Sequence, residues 1–163
     1  MELFYDHDHG GFFQSEERSD LVIRLKGDFD GALPTESAVA AGELEILAQF
    51  TERASLSEAA RKTSAAYVSQ MRDSPVGMGK LLSAVLAAEE HPPRLVLSAG
   101  TGLRDLHLEA YQHDLPHLLV MGDKDVSDDS EQIAQAFLCE GEFCRAPVSK
   151  RSDLQKLLEQ LSS

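Results

Sequence analysis

Apolar positions follow two textures along this chain: helical spacing dominates before Pro92-Pro93, and short apolar runs alternate with helical stretches after it. From Glu36 to Thr51, Ala40, Leu44, Leu47 and Ala48 form one helical stripe and Val39, Ile46 and Phe50 another, which predicts a helix buried on two faces. Ser55 and Glu58 stand at capping-box spacing, and Leu56, Ala60, Thr63, Tyr67 and Met71 follow on one face of a second helix that ends near Ser74. Pro75, a residue suited to a first helical position, opens a third helix behind Ser74, with Met78, Leu81, Leu82, Val85 and Leu86 inward. Short turns between these helices predict antiparallel hairpins.

Upstream, Leu3 to Tyr5 and Phe12 to Gln14 flank a run of acids, histidines and Gly10-Gly11, the pattern of a β-hairpin. Leu21 to Leu25 is a further strand by its branched apolar run. Beyond the prolines, Arg94 to Ser98 reads as a strand, Leu103 to Gln112 as a helix and Leu118 to Met121 as a second strand, a βαβ unit. Asp128 to Phe137 is a short helix, Phe143 to Val148 an extended piece, and Leu154, Leu157, Leu158 and Leu161 mark a closing amphipathic helix. The expected fold class is α+β, mainly α: residues 1–91 carry the N-terminal β-hairpin and the helices, and residues 92–163 form a small α/β tail packed on them.

Charge narrows the partners. Against 15 Lys and Arg stand 28 Asp and Glu, a formal charge of −13 on 163 residues, which repels phosphate backbones and anionic lipid, so neither nucleic acid nor membrane is expected. The apolar run Leu81 to Ala88 is under half the roughly 20 residues a spanning helix needs. Met1 to Gln14 lacks the basic and apolar regions of a signal peptide. A soluble, cytoplasmic chain is expected.

Several segments carry chemistry. Asp6 to Glu17 places acids at positions one, three and twelve of a calcium-loop template and Gly11 at six, but Gly10 removes the ligand at five and no helix enters the loop. A polar turn is the favoured reading. His7 and His9 alternate along an extended run and diverge, which disfavours a closed metal site. Cys139 and Cys144 lack the second ligand pair of structural zinc and the CxxC of a redox helix, so reduced thiols come first and a local disulfide next. Ala99-Gly100-Thr101-Gly102 between strand and helix is a plain tight turn before it is an anion cradle, and the acids from Asp123 to Glu131 are a solvated loop. The densest cluster lies between Arg24 and Ser37. There Arg24, Lys26, Asp28, Asp30 and Glu36 are the candidate ligand-binding residues of a polar pocket wall, against an ion-paired loop with Thr35 or Ser37 as helix cap. Lys26 and Asp30 are expected at the rim, paired or facing a ligand. No metal site and no cofactor are expected.

One family resemblance runs through these residues. Asp6 with Gly10-Gly11-Phe12-Phe13, then Arg24-x-Lys26-x-x-x-Asp30-Gly31-Ala32-x-Pro34, then Val39-Ala40-Ala41 and Leu44-x-x-Leu47-Ala48, resembles the C-terminal part of the spermatogenesis-associated, thioredoxin-domain-containing protein family. Cys139-x-x-x-x-Cys144-x-x-Pro147-Val148 is similar to that family's closing motif. The resemblance implies a longer polypeptide with a thioredoxin-like domain, an (α/α)6 toroid similar to N-acylglucosamine 2-epimerases, and a short α/β tail. This chain then corresponds to an incomplete toroid and the tail, with Lys26, Asp30 and Pro34 in a loop at the toroid's mouth. Where the family shows Pro-Ser-Gly-Asn-Ser, this chain has Pro34-Thr35-Glu36-Ser37-Ala38, which implies binding without turnover. Three readings follow. The first is a toroid segment that lends a pocket wall for a carbohydrate-like ligand and depends on the rest of a longer chain. The second is a sugar isomerase or epimerase. The third is a self-associating structural or binding module.

Overall fold

In the computed structural model, which describes residues 2–90, 92–115, 118–122, 132–141 and 143–161, the chain divides into two units, Met1–Glu90 and His91–Ser163. Among the described residues it is α+β, with six α-helices and one four-stranded mixed sheet.

In the first unit, Thr35 starts helix α1 (Glu36–Thr51) by accepting the Ala38 amide on its hydroxyl at 3.2 Å, with Glu36 in the first turn where the helix dipole favours an acid. The buried positions of α1 form one stripe, Ser37, Ala38, Ala41, Leu44 and Ala48. Its lower half packs with Tyr5 and with Leu56, Ala59 and Ala60 of α2 (Ala54–Ala66), and its upper half with Tyr67, Met78 and Leu81. The second stripe expected from the sequence is not fully buried: Val39 is 37% exposed and Ile46 and Phe50 are half-buried, while Leu47, expected on the first stripe, is 47% exposed. One face of mostly small residues lets α1 approach both neighbours, and Val39, Glu43 and Leu47 on another side are exposed.

The helix expected from Ser55 to Ser74 breaks at Tyr67, whose φ of −110° and ψ of 12° separate α2 from α3 (Val68–Asp73). The break turns the Tyr67 ring inward to 4% exposure, with its hydroxyl 2.9 Å from Ser37 Oγ. Neither Ser55 nor Ser74 caps by side chain: α2 starts at Ala54, and Pro75 leads a 3-10 turn (Pro75–Met78) into α4 (Gly79–Glu90). Met78 and Leu81 are buried as expected, while Leu86 is exposed.

None of the three strands expected before α1 forms among the described residues. The N-terminal hairpin reduces to one antiparallel bridge, Tyr5 with Phe12, closed by Asp6 N donating to Gly11 O at 2.9 Å and Phe13 N to Phe4 O at 2.8 Å. Leu21 to Leu25 is irregular, because a strand needs a neighbour and only isolated bonds such as Gln14 N to Leu25 O at 2.9 Å reach it.

The second unit contains β1 (Arg94–Leu97), α5 (Leu103–Ala110), β2 (Leu119–Gly122), β3 (Ala136–Glu140), β4 (Phe143–Cys144) and α6 (Arg151–Glu159), with sheet order β2-β1-β3-β4. The expected βαβ unit is present: β1 and β2 are parallel with Leu95 opposite Val120, and α5 connects them. β3 runs antiparallel to β1 with Leu95 opposite Leu138. Leu95, Leu106, Leu138, Leu154 and Leu158, each at most 1% exposed, form the core.

The helix expected from Asp128 to Phe137 is corrected where it can be seen. Residues 128–131 lie outside the described residues, as does the acid run from Asp123, but Ala136 and Phe137 begin a strand. Ala134, Ala136 and Leu138 alternate into the core at 0% exposure, a period of two that a helix cannot match. Helices α5 and α6 are tied by Glu109, 4% exposed, which accepts from Arg151 Nε at 2.5 Å and lies 3.0 Å from His113 Nε2. The Arg151 guanidinium holds the Glu109 carboxyl below its ordinary range against the opposing effect of burial, with His113 assisting.

The cysteines differ from the favoured sequence reading: Cys139 and Cys144 form a disulfide. They face each other in the β3–β4 register, a position in which antiparallel pairing brings two side chains together. Among the described residues no helix is long and apolar enough to cross a membrane.

Candidate functional site

Four of the five candidate residues lie on the stretch before α1 and Glu36 opens that helix, and those with partners reach different ones. Lys26 Nζ donates to Asp6 Oδ2 at 2.7 Å and to Gly10 O at 2.6 Å. Asp6 in turn accepts the Asp8 and His9 amides on Oδ1, each at 2.9 Å, so the acid that heads the calcium-loop template folds its own turn and neutralises Lys26. Burial opposes ionisation of Asp6, yet the Lys26 ammonium and the two amides outweigh it and hold its carboxyl well below the usual range. Arg24 donates to Ser15 O at 2.8 Å and Leu3 O at 2.7 Å and lies 3.9 Å over the Phe13 ring.

Asp30 stands apart from Lys26. Its Oδ1 accepts the Thr35 amide at 2.8 Å and its Oδ2 the Lys80 amide at 2.8 Å, so one carboxylate serves the N-terminal ends of α1 and α4, where both dipoles favour it. Its own amide donates to Gly77 O at 2.6 Å. Glu36 accepts the Gly27 amide, and Asp28 is exposed. The loop is therefore stitched to the turn at Asp6 by Lys26 and to two helix starts by Asp30. The expected Lys26–Asp30 pairing is replaced by these separate anchors.

Such an arrangement holds positions and leaves hydrogen-bond capacity over. An ammonium has three donors, two of which Lys26 uses, and each carboxylate oxygen of Asp30 accepts one amide where it has room for another. A general base works best with a proton affinity near the operating pH, and the Asp6 shift runs the opposite way, further from it. His7 and His9 are both exposed, with His9 Nδ1 at 3.5 Å from Asp6 Oδ2. Among the described residues no three metal-ligating side chains gather.

Sequence reasoning missed Asp6 as the partner of Lys26. The two are 20 positions apart, and only the Gly10-Gly11 turn between them hints at the close approach. Gly10 has a φ of +76°, and a Cβ there would lie 2.5 Å from Lys62 O. It also missed a concavity in the second unit. About 310 Å³ in volume, this cavity lies beyond the carboxyl ends of β1 and β2, lined by Leu97, Leu103, His107, Tyr111 and Met121 among others. His107 and Tyr111 stack there with centroids 5.1 Å apart. The signal for it was the glycine turn between strand and helix, where open α/β sheets place their crevices.

No family model matches the chain. It is similar to spermatogenesis-associated protein 20 of Homo sapiens, 29% identical over 175 residues that cover 96% of this chain and 22% of that protein. The corresponding proteins of Mus musculus and Rattus norvegicus are each 28% identical over 177 residues, 97% of this chain and 22% of theirs. The chain thus spans about a fifth of the length of the curated relatives it matches.

Proposed function

We propose that this chain acts as a segment of a longer helical protein, a toroid of the kind its sequence resembles, and lends the 24–36 loop as one polar wall of a carbohydrate-binding pocket without doing chemistry alone. One observation carries the reading. Within a single stretch the polar groups of Arg24, Lys26, Asp30 and Glu36 are bound inward, while Val22, Ile23, Leu25, Phe29 and Leu33 are between 60% and 103% exposed. A segment so firmly anchored and so apolar on its outside is a surface for another body to cover, and its polar edge then borders whatever cleft forms there. Rigid groups with spare hydrogen-bond capacity suit sugar hydroxyls, which need positioned donors and acceptors more than a net charge.

The similarity over most of this chain, at a fifth of the relatives' length, supports a role that depends on further polypeptide. In its absence a second copy is the nearest cover, so self-association is the second reading, favoured by the same exposed side chains.

The test joins this chain to the remainder of the human relative and titrates an N-acylated hexosamine by calorimetry. The joined protein is expected to bind it, and Asp28→Asn, a change at an exposed side chain, to weaken binding several-fold, as loss of a hydrogen bond to a charged group does. The isolated chain is expected to neither bind nor epimerise it. Epimerisation by the isolated chain, lost in Asp30→Asn, would move the assignment to an enzyme.

A further inference from the structure

We propose that Cys139 and Cys144 form a redox-active pair that exchanges with an external dithiol by attack on Cys144, with the surrounding sheet intact in both states. Three observations converge. Access differs between the two sulfur-bearing residues: Cys139 lies on the inner strand β3 at 5% exposure, while Cys144 lies on β4, the sheet edge, and is exposed. Disulfides open to solvent belong to the exchanging class, and the accessible sulfur is the one attacked.

The main core cluster of the unit is also built without the bond. Its core cluster, from Leu95 to Leu158, includes neither cysteine. The bond closes a loop of sequence separation 5, a length at which cross-linking removes little chain entropy compared with long loops.

Finally, the two cysteines are held opposite one another by other means. Arg145 N donates to Leu138 O at 2.8 Å, Ala136 and Val148 exchange both backbone bonds, and Arg145 Nη2 pairs with Glu140 Oε2 at 2.9 Å. Arg94 Nη2 donates to Gly141 O at 3.0 Å, which fastens the intervening segment to β1. After reduction these contacts keep the thiols adjacent, so the pair re-forms at high effective concentration.

The step balances as an ordinary exchange. A thiolate of the dithiol attacks Cys144 Sγ, the S–S electron pair leaves on Cys139 Sγ, and that thiolate takes a proton from water. The second thiol of the reductant, deprotonated in turn, attacks the mixed disulfide and releases Cys144. The protein gains two electrons and two protons, and the dithiol becomes a disulfide.

The experiment titrates the intact chain with dithiothreitol under native conditions and counts thiols by iodoacetamide mass labelling, with circular dichroism in parallel. Two labels per chain at unchanged dichroism are expected, with return to none after glutathione disulfide is added. In single variants, Cys144 left free by Cys139→Ser is expected to exchange with glutathione disulfide, forming a mixed disulfide and releasing one glutathione, about tenfold faster than Cys139 left free by Cys144→Ser. The variant with both cysteines changed to serine is expected to fold. Reduction that occurs only in denaturant, equal reactivity of the two thiols, or failure of the double variant to fold would each make the bond a structural staple and overturn the proposal.

Discussion

Gly100→Ala is expected to destabilise the second unit by about 3 kcal/mol or more, the sum of a strained backbone and a clash that nothing nearby can relieve. Gly100 has a φ of +136°, and a Cβ there would stand 2.7 Å from Ala134 N and closer still to Gln132 O. Those are backbone atoms under restraint. Thr101 N donates to Gln132 O at 2.8 Å, Ala134 N to Thr101 O at 3.0 Å, and Ser98 N to Gln135 O at 2.9 Å, so retreat would break the bonds that hold β3 beside the turn. Gly102 provides the control. Its φ is +94° with nothing within 4 Å, so Gly102→Ala carries conformational strain alone, about 1 to 2 kcal/mol. Urea unfolding of the two variants separates the contributions, and equal losses would mean that the close approach at Gly100 costs nothing.

Lys26→Met is expected to cost the first unit about 2 kcal/mol and to change its response to acid. The substitution leaves Asp6, whose side chain is 12% exposed, with two amides and the His9 ring at 3.5 Å but without the Lys26 ammonium, and deprives Gly10 O of its donor. Asp6 has its proton affinity lowered by folding, so its contribution is present above the unfolded carboxylate pKa of about 4 and is lost as pH falls through the lower folded value. Below about pH 4 the unfolded chain binds more protons at this position than the folded one, and stability rises with pH there. Asp6→Asn should flatten that part of the profile, and Lys26→Met should shift it upward in pH. Unfolding curves collected from pH 2 to pH 6 give both results, and superimposable profiles for wild type and Asp6→Asn would contradict the assignment.

The elements that were legible in the sequence are those whose signals are local. Thr35 announces α1 by capping chemistry, and α1 spans Glu36–Thr51 as expected. The run from Arg94, the glycine turn and the leucines of α6 announce the second unit. What was not legible depends on partners far along the chain. Leu21 to Leu25 has strand composition, but composition does not provide a neighbouring strand. Tyr67 breaks a periodic helix because its hydroxyl meets Ser37, a contact across 30 positions that periodicity does not carry. In the site, Lys26 and Asp30 are four apart and looked like neighbours, whereas four residues of extended chain cover roughly 13 Å. Their partners were not legible, because Asp6 and the amides of Thr35 and Lys80 become close only once α1 and α4 are in place.

The proposed role rests on the apolar side chains that the first unit leaves exposed. Val22, Ile23 and Leu25, at 60% to 103% exposure, each gain about 1.5 to 3 kcal/mol on full burial, so together they favour a covered state. Sedimentation velocity of the isolated chain across a wide concentration range, beside a Val22→Ser/Ile23→Ser/Leu25→Ser variant and with a dye that reports apolar surface, tests this directly. Concentration-dependent association and dye binding are expected in the wild type, both suppressed in the variant. A wild-type chain that stays monomeric at every concentration and binds no dye would contradict it.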